Sequence, residues 1–159
     1  MVSNYKEESS TKLPQELKSK VIEELEFIIQ KMSQEQDIDR KIYFYSALRG
    51  VLERASRSYY DRELLVAHTI VDVSYSVIND RIAHLRSGDL LVPFPENSLN
   101  QLIQGVSDLK QAIENNEEIY PAVEILWEVA YLATGPGFYT RSLLDYVSSK
   151  QHSQEELKQ

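Results

Sequence analysis

One stretch restricts this chain more than any other: Leu64 to Leu85, LLVAHTIVDVSYSVINDRIAHL. Leu64, Ala67, Val71, Tyr75, Ile78, Ile82 and Leu85 recur at steps of three and four. That spacing puts all seven on one face of an α-helix, whereas a strand would divide them between two faces. It predicts a long amphipathic helix over 62–86. Its length and apolar content predict that this helix lies at the centre, with the others packed around it.

The remaining apolar residues follow the same period. Leu17, Val21, Leu25, Ile28 and Met32 predict a helix over about 14–32, with Pro14 in its first turn, where the missing N–H costs nothing. A second helix starts near Asp37 or Asp39, either of which can cap it, and carries Phe44, Leu48, Val51, Leu52 and Ala55. Ile42, Tyr43 and Tyr45 crowd its first turns, and Gly50 within it lowers helix propensity or marks a close crossing. Ser87-Gly88-Asp89 ends the central helix with Gly88 as a left-handed cap, and LLVPFPEN reads as an extended connector. Asn97 or Ser98 then caps a fourth helix bearing Leu99, Leu102, Ile103, Val106, Leu109 and Ile113. A fifth begins at Ile119-Tyr120-Pro121 and turns Val123, Leu126, Val129, Ala130 and Ala133 inward, with Trp127 on that face or anchoring a surface. Thr134-Gly135-Pro136-Gly137 stops it, and a short helix over about 139–149 follows.

The reading is an all-α protein: an antiparallel bundle of five to six amphipathic helices around the 62–86 helix. Residues 13–149 form one domain between a disordered tail (1–12) and a flexible polar tail (150–159). A chain of 159 residues with 42% hydrophobic content is long enough to bury a core without disulfides or a structural metal. Cysteine is absent, which excludes disulfides, thiolate metal sites and cysteine nucleophiles. The first dozen residues are polar and no apolar run approaches the roughly 20 residues of a membrane span, so a cytoplasmic protein without a membrane partner is expected. The net charge of −8 disfavours phosphate-driven binding to nucleic acid. Arg49, Arg54 and Arg57, with Arg40 and Lys41 upstream, are the best candidate for a local basic patch, and read as solvated helix positions neutralised by Glu53 and Asp61.

Phosphate-loop, dinucleotide, nucleophile-elbow and zinc-protease motifs are all missing, and nothing in the sequence asks for a metal or another cofactor. One polar set lies along the edge of the central stripe: His68, Asp72, Tyr75 and Asn79, at steps of four, three and four. Asp72 one turn after His68 can orient the imidazole and raise its basicity, which suits a general base. The preferred reading of the same set is a boundary network that orients the helix or closes a subunit interface.

Five residues separate Arg62 from His68, a spacing that resembles the Arg-x(4–6)-His motif of HEPN-domain ribonucleases. The resemblance implies a helical bundle, usually dimeric, that cleaves RNA without metal at the dimer interface. Arg62 would then stabilise phosphate charge and His68 would transfer a proton. The chain departs from that family at Glu63, where Asn, Asp or His is usual, and in the helices predicted after the motif. Asp80-Arg81-Ile82-Ala83-His84 is similar to the same surroundings, with Asn79 where the Arg belongs. The resemblance extends over these few residues only.

Ten tyrosines are many for this length, and tyrosine is favoured at interfaces for its apolar ring and polar tip. Tyr59 and Tyr60, Phe94 in the connector, and Phe138 and Tyr139 at the Gly135-Pro136-Gly137 corner are the candidate partner-binding residues. The expected function is therefore non-catalytic: a helical bundle acting through protein–protein contacts, self-associated as a homodimer. The alternative is a metal-independent ribonuclease using Arg62 and His68 with Asp72. A small apolar ligand between helices is a third.

Overall fold

The computed structural model describes residues 12–87, 96–133, 150 and 157–158. Within them the chain forms five helices: α1 (Gln15–Gln34), α2 (Ile38–Ser58), α3 (Arg62–Ser87), α4 (Glu96–Glu114) and α5 (Tyr120–Ala133). No strand occurs among the described residues, so the all-helical class read from the periodicities holds. The Gly88 cap, Phe94, the Thr134–Gly137 stop, Phe138, Tyr139, the 139–149 helix and most of both tails lie outside the described residues.

Local chemistry sets the helix ends. Asp37 caps α2, its Oδ1 accepting from the backbone N–H groups of Asp39 and Arg40. Asp61 does the same for α3, accepting from Leu64 N–H at 3.0 Å. α4 ends in a Schellman turn: Glu117 N–H returns to the Ala112 carbonyl and Asn116 N–H to that of Ile113. The turn requires a left-handed residue, and Asn116 supplies it at φ 53°. The predicted caps Asn97 and Ser98 are corrected: α4 is already helical from Glu96, and Ser98 is buried in its first turn.

Each helix packs chiefly against two others: α1 on α2 and α4, α3 on α2 and α5, and α4 on α5. The five therefore form a closed ring around a shared core, and the central position predicted for 62–86 is corrected. α3 is one stave of the ring, with one face inward like its neighbours. The expectation failed because period reports that a face is buried, not how many helices bury it. Glu24 meets Arg54 and Phe27 meets Phe44, so α1 and α2 run in opposite directions. Tyr45 meets Ser74 while Arg49 meets Asp72, which orients α2 against α3 in the same way. Lys110 pairs with Glu26 and Asn116 with Lys18, which does so for α4 against α1.

The core holds most of the predicted stripe residues, with Leu17 and Ile103 only half-buried at its edge. Tyr45, not Phe44, is the aromatic that α2 buries completely, and Ser74 joins the α3 stripe with no exposure at all while Tyr75 stays half-buried. Burying each leucine or isoleucine of this core is worth about 1.5–3 kcal/mol. Gly50 marks no crossing: a Cβ there would meet only the Arg54 guanidinium. The close approach is at Gly105, where a Cβ would stand 2.6 Å from Leu126 Cδ2, so the missing side chain is what lets α4 and α5 come together.

Candidate functional site

α3 presents different chemistry on its two flanks. Towards α2 it offers His68, Asp72 and Tyr75. Asp72 does not orient the imidazole here. Its Oδ1 accepts from Arg49 Nη1 at 3.3 Å, and the same guanidinium lies over the Tyr75 ring, 3.8 Å from its centroid. The salt bridge and the stacked cation hold Arg49 between α2 and α3. Among the described residues Arg49 Nε is buried without a hydrogen-bond partner.

His68 is half-buried at the α3 edge of a groove of about 1070 Å³ that runs between α1 and α2. Val21, Ile28, Val51 and Ala55 form its floor, and the 2.8 Å Arg54–Glu24 ion pair crosses it. Its charges alternate in sign and two arginines are already paired, so it concentrates no field for a phosphate or a carboxylate. Arg62 is exposed and is not among the groove residues. It lies six positions before His68, about 9 Å along the helix and roughly 120° around it. The structure thus brings His68 and Asp72 to one groove and leaves Arg62 on another face. Among the described residues no three His, Asp or Glu side chains gather as a metal site requires.

The inward polar contacts are structural. Ser74 Oγ donates to the Leu126 carbonyl at 3.0 Å, which uses its only proton, so the 2.9 Å contact with Tyr45 has the phenol as donor. Burial holds the Tyr45 phenol well above its ordinary value of 10.0, and the Ser74 hydrogen bond offsets part of that rise.

On its other flank α3 carries Val66, Ile70, Val73 and Val77, at steps of four, three and four. Val66 and Val73 are exposed, and Ile70 and Val77 are half-buried. α5 adds to the same seam. Its Ile125 leans on α4 at Gly105, so Trp127 and Tyr131, on the opposite side of α5, flank α3. Both are nearly half exposed, at 45% and 47%. Tyr59 and Tyr60 sit in the α2–α3 link, Tyr60 almost wholly in solvent. Sequence reasoning named these two tyrosines but missed the second α3 stripe, because the stronger inward stripe of the same helix absorbed the periodic signal.

No protein-family model, curated protein or solved structure matches this chain. No helix among the described residues is long and apolar enough to cross a membrane.

Proposed function

We propose that this protein is a non-catalytic helical bundle that works in the cytoplasm through protein–protein contacts and associates with itself. The observation that carries the reading is the outer α3–α5 seam, where Val66, Val73, Trp127 and Tyr131 remain exposed after the ring has closed. Apolar and aromatic side chains gathered on one outer face favour contact with another protein. The groups that would do chemistry support the same reading, since Asp72 is held by Arg49 rather than aimed at His68.

Light scattering across micromolar concentrations tests it: a mass above one chain is expected, and a strict monomer rejects self-association. The ribonuclease alternative is tested by incubating mixed RNA in EDTA with the parent and with His68→Ala. No cleavage, or equal cleavage by both, is expected. Cleavage lost only in the variant would overturn the non-catalytic reading.

A further inference from the structure

We propose that the outward face of α3 is a two-fold interface with a second copy of this chain, the two α3 helices packing antiparallel. This rests on the self-association reading and names the face and the geometry.

Arg62 and Asp80 are 18 residues apart, about five turns, so they share one azimuth and lie roughly 27 Å from each other. On the same line between them stand Val66, Thr69, Val73 and Ser76, all exposed and none charged. The outward lines of two other helices differ: α1 shows Glu23, Glu26 and Gln30, and α5 shows Glu124 and Glu128. α3 thus has an uncharged strip about three turns long, with the cation Arg62 beyond one end and the anion Asp80 beyond the other, where its Oδ2 also stands 3.6 Å from His84 Nε2.

That charge order selects the occupant. A two-fold axis near residue 71 reverses the second helix, so each Arg62 meets the other copy's Asp80 and the ion pairs close both ends. Thr69 then faces Val73 across the axis, and Val66 faces Ser76. These are small side chains that permit close approach. A parallel arrangement would set Arg62 against Arg62 and Asp80 against Asp80, which is repulsive. An isologous interface has to be complementary to itself, and this strip meets that condition. Each copy carries net charge −8, yet the strip contributes one charge of each sign, so the contact adds no net repulsion of its own. Ile70, Val77, Trp127 and Tyr131 border it on the α5 side.

Sedimentation equilibrium from 1 to 100 µM tests the geometry with single and compensating charge reversals. The parent is expected to dimerise. Arg62→Glu and Asp80→Arg should each raise the dimer Kd roughly tenfold or more, and the double variant should return it to within a few-fold of the parent. Thr69→Glu, a solvent-facing change near the axis, should abolish the dimer while circular dichroism melts stay close to the parent's. A dimer insensitive to all four variants overturns this face and leaves self-association standing. A strict monomer at 100 µM overturns both.

Discussion

Tyr45 of α2 donates a hydrogen bond from its phenol to Ser74 of α3, 2.9 Å away at the fully buried centre of the ring, and the Ser74 hydroxyl donates in turn to the Leu126 carbonyl of α5. Three helices are thereby joined by one chain of hydrogen bonds, with every hydroxyl satisfied. The two ends of the chain are unequal. Tyr45→Phe leaves Ser74 still bonded to Leu126 and should cost about 1 kcal/mol. Ser74→Ala strands a buried phenol and should cost about 2–3 kcal/mol. The double variant should cost less than the sum, because the second change removes a group the first had orphaned. Urea unfolding of the four proteins measures this; an additive cycle would mean the two hydroxyls do not interact.

The same burial links stability to alkaline pH. The folded pKa of Tyr45 is raised, so its contribution is fully present below its ordinary value of 10.0 and is lost as pH rises from there towards the folded value. Over that window the unfolded state releases a proton that the folded state retains, at a slope of up to about 1.4 kcal/mol per pH unit. The stability advantage of the parent over Tyr45→Phe should therefore shrink above pH 10. Parallel curves for the two proteins would contradict the assignment.

The two helical glycines should respond in opposite senses to alanine. Gly50→Ala meets only the mobile end of Arg54, so the gain in helix propensity prevails and the protein should be stabilised by about 0.5–1 kcal/mol. Gly105→Ala drives a methyl into Leu126, which is fully buried and has nowhere to move, so overpacking of about 1–3 kcal/mol outweighs the same gain. Thermal melts decide between them, and equal shifts would show that α4 and α5 are not in contact at Gly105.

Asn116 combines two roles: its left-handed backbone ends α4, and its Oδ1 accepts from the buried Lys18 ammonium at 3.1 Å. Asn116→Gly keeps the turn and loses the contact with α1, whereas Asn116→Ala loses both. The alanine variant should be the less stable of the two by about 1 kcal/mol, read from denaturant midpoints.

Arg49→Ala should cost more than Asp72→Asn, by roughly 1 kcal/mol. The ion pair is partly open to solvent and worth little, while the guanidinium stacked on Tyr75 adds a cation–π contact and packing of its alkyl stem. If Asp72→Asn proves the more damaging change, the carboxylate has a role beyond pairing with Arg49.

The order of apolar residues along the chain was enough to determine that it is helical, where most helices run and which side of each is hidden. Steps of three and four have only one regular conformation that gathers them, and Asp37 carries its capping signal in its own side chain. The outward stripe Val66–Val77 was also written there, but overlaid on the stronger inward stripe of the same helix. What only the tertiary structure decided is pairing. That α3 is a stave rather than an axle, that Asp72 is held by Arg49 across from α2, and that Tyr45 reaches Ser74 while Gly105 admits Leu126 all depend on residues far apart in the chain. Periodicity is a property of one helix at a time. Which two faces meet, and which face is left over for another molecule, is settled only when all five compete for the same core.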